Sequence, residues 1–162
     1  MRKRWELNLM KQTDLADSTI PGRRKQAQAL SRESIAVLQC LVVSVSQARR
    51  NLLSQGAEEA GWQTVICRDA NQGLANFRRT LFRLALVDLD HQSETPPGFR
   101  ELCKALVTPS SKMLLGICGR EGQPEEEIWA RQLGVWLYLP GVTSASEIAW
   151  LCEQAREIAE RS

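Results

Sequence analysis

The chain has 162 residues, 43% hydrophobic and 25% charged, which is ordinary for a globular protein and enough to bury a core without disulfides or a metal. A formal net charge of +2 makes no overall electrostatic case for nucleic acid, and no apolar run approaches the length of a membrane span. The basic start, M-R-K-R-W-E-L-N-L-M-K, is no secretory signal, because Glu6, Asn8, Lys11 and Asp14 interrupt any apolar region after it; a cytoplasmic protein with no membrane contact is expected.

The charge is uneven. Residues 1–36 hold eight Lys or Arg and four Asp or Glu, and the rest of the chain is net negative. Ile20-Pro21-Gly22 is a breaker, and Arg23 to Gln39 reads as helix, with Ala27, Leu30, Ser34 and Val37 on one face. Residues 1–36 are therefore expected to form a basic N-terminal extension, mobile or partly helical, ahead of a domain at 37–162. A solvated tail is the expectation; contact with nucleic acid, acidic lipid or a partner is the functional alternative.

Leu38 to Val43 (L-Q-C-L-V-V) predicts the first strand. Ser46 can cap a helix from about Gln47 to Ala60, with Leu52, Leu53 and Ala57 inward and Gly61 ending it. Trp62 to Cys67 (W-Q-T-V-I-C) predicts the second strand. Asp69 to Gln72 has capping-box spacing and opens a helix through Leu74, Ala75 and Phe77 to Arg79.

The third strand, in Phe82 to His91 (F-R-L-A-L-V-D-L-D-H), is a short apolar run that stops at Asp88. Such a run fits a strand covered on both faces. A carboxylate at its C-terminal end lies where open α/β sheets place their sites. Ser93 to Gly98 is a loop, and Phe99, Leu102, Cys103 and Leu106 mark an amphipathic helix.

Lys112 to Cys118 predicts the fourth strand, with Gly119 to Gln123 as loop. Pro124 opens the next helix, where Glu125, Glu126 and Glu127 complement the dipole, and Gly134 ends it. Val135 to Leu139 (V-W-L-Y-L) predicts the fifth strand, placing Trp136 and Tyr138 on one face, and Pro140-Gly141 turns the chain. Ser144 to Glu147 is a second capping box, and the last helix is expected to bury Ile148, Leu151, Cys152, Ala155, Ile158 and Ala159. Strand–helix alternation at this spacing predicts a parallel five-stranded sheet in a doubly wound three-layer α/β sandwich of order 2-1-3-4-5.

The five cysteines, Cys40, Cys67, Cys103, Cys118 and Cys152, are widely spaced with no C-x-x-C pair, and read as reduced buried thiols. One histidine, His91, gives a Cys/His metal site no support; it reads as a loop residue rather than a partner of Asp88 or Asp90. Gly116, Gly119 and Gly122 are followed by three glutamates and no Lys-Ser or Lys-Thr pair, so they read as flexible loop and not as a phosphate loop.

From Leu38 onward the chain resembles the receiver domain of two-component response regulators. The likeness rests on element order, on L-A-L-V-D-L at the third strand and on G-V-W-L-Y-L-P at the fifth. G-W-Q-T-V-I-C and the A-N-Q-G-L-A-N-F helix add to it. The resemblance implies that Asp88 occupies the phosphoacceptor position. The acidic pair that holds Mg²⁺ is replaced by Ser44 and Val45, the Thr or Ser of strand four by Cys118, and the Lys after strand five by Pro140-Gly141, with Val142 where the family often has Pro. Tyr138 matches the aromatic that responds to activation.

Phosphoryl transfer needs cations to neutralise charge on the equatorial oxygens, and Mg²⁺ needs oxygen ligands. Cys118 is a weak donor, and Asp90 is the one substitute carboxylate in sight. The resemblance is therefore to degenerate, pseudo-receiver members. It implies a signalling adaptor with no enzymatic activity and no cofactor, working without phosphorylation. The partner would be a sensor kinase, a downstream signalling protein or a second copy, met through the face of helix four, strand five and helix five. Trp129, Trp136 and Trp150 are its candidate contact residues. The alternatives are an atypical phosphorelay receiver modified at Asp88, and a small-molecule-binding domain like the flavodoxins, which share this topology. The Ser44-Val45-Ser46 turn lacks the glycine and the third hydroxyl that a flavin phosphate would need.

Overall fold

The computed structural model describes residues 38–90 and 94–162. The N-terminal extension, the helix expected to begin at Arg23, and His91 lie outside the described residues, apart from Leu38 and Gln39. Five strands and five helices alternate: β1 (Gln39–Val43), α1 (Gln47–Glu59), β2 (Gln63–Cys67), α2 (Ala70–Arg79), β3 (Leu84–Asp88), α3 (Phe99–Leu106), β4 (Leu114–Gly119), α4 (Pro124–Leu133), β5 (Leu137–Pro140) and α5 (Ala145–Arg161). The strands are all parallel, in the order β2-β1-β3-β4-β5, as the alternation predicts.

Side chains alternate across the sheet and build two cores. Cys40, Val42, Leu84, Leu86 and Cys118 pack with Leu53 and Ala57 of α1 and with Ile148, Cys152 and Ala155 of α5. Leu41, Val43, Ala85, Val87 and Ile117 pack on the other face with Leu102 and Leu106 of α3 and Ala130 of α4. β3 is central, and all five of its residues are buried. This is why Leu84 to Val87 form an unbroken apolar run.

The predicted caps are present. Ser46 Oγ accepts from Arg49 N at 3.3 Å, Asp69 Oδ1 from Gln72 N at 2.8 Å, and Ser144 Oγ from Glu147 N at 3.3 Å. The Gln72 side chain reaches back to accept from Arg68 N, one residue beyond the Asp69 amide of the usual reciprocal contact. α1 and α5 meet at Gly56, where a Cβ would stand 2.6 Å from Ile148 Cβ and 2.8 Å from Ala145 O. Trp62, buried, donates its indole N–H to Cys152 O at 2.9 Å and ties α5 to the start of β2.

Three local expectations are corrected. Ile158 is exposed, because the buried stripe of α5 is narrow and Ile158 sits about 100° round the helix from Ala159. Trp136 packs toward the α1–α5 side and Tyr138 toward the α3–α4 side; pairing in β5 begins at Leu137, and the bend at Trp136 breaks the alternation. Gly116 and Gly119 belong to β4 and not to a loop, each where a neighbouring side chain (Leu86 and Tyr138 respectively) takes the space of a Cβ. Glu126, unlike exposed Glu125, is buried.

Candidate functional site

Asp88 ends β3 with its side chain fully buried. A lone buried carboxylate is costly unless it is paired and hydrogen-bonded, and here both oxygens are occupied. Oδ2 accepts from Ser44 Oγ at 2.8 Å and from Arg49 Nε at 3.3 Å. Oδ1 accepts from the backbone N–H of Asp90 at 3.1 Å and from Arg49 Nη2 at 3.4 Å. The guanidinium lies along the carboxylate in a two-pronged arrangement, and its third nitrogen, Nη1, donates to Val142 O in the turn after β5. One side chain thus joins the ends of β3 and β5.

Arg49 sits in the first turn of α1, held there by the Ser46 cap. Its neighbour Arg50 donates to Ser44 O at 2.9 Å. Burial works to lower the Arg49 guanidinium, but the charge of Asp88 and its hydrogen bond, with smaller help from Cys118 and Asp90, outweigh burial and hold it above its ordinary value. The guanidinium is a permanent cation at the carboxylate.

Sequence reasoning passed over Arg49, although a signal was available. Two arginines in the first turn of a helix that has no acidic residue there oppose the dipole, which favours carboxylates at that end. Such a placement calls for a nearby anion.

The other expected positions divide. Ser44 is buried and bonded to Asp88. Cys118 is the register partner of Asp88 on β4 and is buried. Val45 packs into the core on the α2–α4 face, away from the carboxylate. Gly141 has φ of 66° and donates its N–H to Gly119 O at 3.0 Å. That left-handed turn suits glycine and supplies no side chain to the site. Asp90 contributes its backbone amide; its side chain makes no hydrogen bond among the described residues.

Mg²⁺ asks for several oxygen ligands around one or two carboxylates. Among the described residues no group of three His, Cys, Asp or Glu side chains stands together to hold a metal ion. A divalent cation on Asp88 would also stand against the Arg49 charge. The donor set around Asp88 therefore does not fit Mg²⁺ while Arg49 holds its place.

The three candidate tryptophans do not lie together. Trp129 of α4 is half-buried, with the Arg100 guanidinium 4.7 Å from its ring centroid. Trp136 is half-buried, packed against the core beside a cleft it lines with Leu106, Met113 and Leu114. Trp150 of α5 is 61% exposed and lies opposite the buried stripe of its helix. Ile128 of α4 is likewise exposed.

All five cysteines are free and buried. Burial pushes the Cys103, Cys118 and Cys152 thiols up to about 12, and the thiolate is the reactive form. The native protein is accordingly expected to give almost no reaction with Ellman's reagent at mildly alkaline pH, against five thiols after denaturation. Rapid native labelling of Cys118 would mean that the site opens readily to solvent. No described helix is long and apolar enough to cross a membrane.

No family model matches the chain, and neither does any curated protein. Solved structures do. A response regulator receiver domain protein (CheY-like) from Methanospirillum hungatei JF-1 aligns with a TM-score of 0.66 at 18% identity, over 77% of this chain and 98% of that one. The receiver domain of a response regulator from Clostridium thermocellum gives 0.64 at 14%, over 77% and 98%. The receiver domain of NtrX from Brucella abortus gives 0.62 at 20%, over 73% and 98%. At these identities the likeness speaks for architecture, and it agrees with the strand order: from β1 to α5 this chain has the response regulator receiver fold.

Proposed function

We propose that the chain is a receiver-like signalling adaptor that works without phosphorylation at Asp88 and passes its signal by binding a protein. The observation that carries this reading is the Arg49–Asp88 pair. Arg49 puts a permanent internal cation where a phosphoryl-accepting carboxylate would need a free oxygen and a metal. A carboxylate whose two oxygens already accept four hydrogen bonds is a poor nucleophile. Nothing at Cys118 or Gly141 supplies the donor or second cation that phosphoryl transfer draws on.

The surface that signals on this reading is the one built from α4, β5 and α5, where Ile128 and Trp150 are exposed. A large indole in solvent is what an interface anchor looks like before it is covered. The partner on this reading is a sensor kinase, a downstream signalling protein or a second copy of the chain.

Incubation with acetyl phosphate and Mg²⁺, followed by intact-mass measurement, tests the reading. The expected result is no phosphoryl adduct. A stable adduct mapped to Asp88 would overturn it in favour of an atypical phosphorelay receiver.

A further inference from the structure

Besides Asp88, one other charged residue is buried among the described residues, and the Asp88 site does not use it. Glu126, in the first turn of α4, is 3% exposed. Its Oε1 accepts from the Tyr138 hydroxyl at 2.9 Å and from Arg120 N at 3.3 Å. Its Oε2 is buried with no hydrogen-bond partner, and so is Arg120 Nε; Arg120 Nη2 stands 4.0 Å from Oε2. A buried carboxylate left half satisfied is expensive, and an exposed glutamate would serve the helix dipole as well. Glu126 is therefore placed for its contacts and not for its charge at the helix end.

Those contacts come from three elements. Tyr138 belongs to β5, Arg120 follows the end of β4, and Glu126 belongs to α4. The Tyr138 hydroxyl enters a notch that exists because residue 119 is glycine; a Cβ there would collide with the Tyr138 hydroxyl and with Glu126 Oε1. Gly119 O also accepts the N–H of Gly141, the residue after β5.

We propose that Glu126 is the hub of a conformational clamp that fixes α4 to β5 in one arrangement, so that the surface they share is presented without an activating modification. The functional half of this inference rests on the reading given under Proposed function; the clamp itself does not. For α4 to move relative to β5, the Tyr138 ring must leave the Gly119 notch and Glu126 must give up its one strong side-chain donor. Burial raises the Tyr138 hydroxyl well above the ordinary tyrosine range. The bond to Glu126 and the charges of Glu126 and Glu127 add to the rise, and Arg120 opposes it.

Tyr138 is the single tyrosine of the chain, so its ionisation can be followed in the full-length protein by near-ultraviolet absorbance. In the wild type it is expected to stay protonated far above the range of a free tyrosine. Glu126→Gln keeps the bulk and the burial but removes the charge, and should lower the titration by about one pH unit or more. Tyr138→Phe keeps the ring and removes the hydroxyl; amide exchange in the first turn of α4 should speed by roughly tenfold. A Tyr138 that ionises at the same pH in folded Glu126→Gln as in the wild type would overturn the clamp. So would unchanged exchange in Tyr138→Phe, which decides alone where the glutamine variant does not fold. Phosphoryl labelling of Asp88 would sink the adaptor reading while leaving the Tyr138 titration where it is, so the two failures are distinct.

Discussion

Arg49→Met is expected to cost about 3 kcal/mol of stability, read as a lower urea midpoint at unchanged slope. Methionine keeps the length and the apolar stem and removes the charge and the donors. What remains is an Asp88 carboxylate with a fully buried side chain, held by the Ser44 hydroxyl and the Asp90 amide alone. Removing one partner of a buried pair is damaging because of the charge left behind, more than because of the attraction lost. Asp88→Asn should cost less, about 1–2 kcal/mol, because Arg49 is 18% exposed and can turn its charge toward water. The double variant should be more stable than the two single losses added, with a coupling of about 2 kcal/mol. An Arg49→Met protein within about 0.5 kcal/mol of wild type would mean that another cation serves Asp88, and the internal-cation reading would fall with it.

Arg49 also shows where sequence reading stops. The sheet was legible because its signals are local. L-A-L-V-D carries its own burial pattern, the Ser46, Asp69 and Ser144 caps lie three residues from the amides they accept, and alternation at this spacing leaves few topologies. The position of Asp88 at the end of β3 was legible for the same reason. Its environment was not. Arg49 and Asp88 are 39 residues apart, and their contact follows from how α1 lies across the end of the central strand.

The burial of Glu126 was illegible for a related reason. Three consecutive glutamates after a proline look alike in sequence, and each suits a helix start. They point in directions about 100° apart, so the helix turns Glu126 inward to Tyr138 while Glu127 pairs with Arg131 at 2.8 Å in the open. Trp136 and Tyr138 show the same limit. The alternation of V-W-L-Y-L holds only where the strand is regular, and β5 begins at Leu137.

Gly56→Val should be among the most damaging single changes in the protein, with a loss of about 4 kcal/mol or failure to fold. Glycine in mid-helix normally costs roughly 1 kcal/mol relative to alanine, so even Gly56→Ala carries a local gain. The packing outweighs it. A Cβ at this position stands 2.6 Å from Ile148 Cβ and Cγ2 and 2.8 Å from Ala145 O. Neither an atom fixed to the backbone nor a backbone carbonyl can swing aside, and overpacking of this kind costs about 1–3 kcal/mol per small increment. Gly56→Ala is therefore expected to lose about 2 kcal/mol despite the better helix former. Gly73→Ala in α2 is the control: there the nearest atoms, at 3.1 Å, are the ends of the Leu102 and Val43 side chains, which can yield, and the result should be near neutral. The difference matters for the site. Arg49 lies two turns from Gly56 on α1, about 10 Å along the axis, and its Nη1 reaches Val142 O just before α5 begins. The close approach at Gly56 is what brings α1 near enough to α5 for one guanidinium to span Asp88 and the turn after β5. A partly folded Gly56→Ala protein should accordingly show faster amide exchange at Asp90 and in the Val142 turn than at the β2 edge. Uniform loosening across the sheet would instead mean that Gly56 contributes to stability alone and does not set the reach of Arg49.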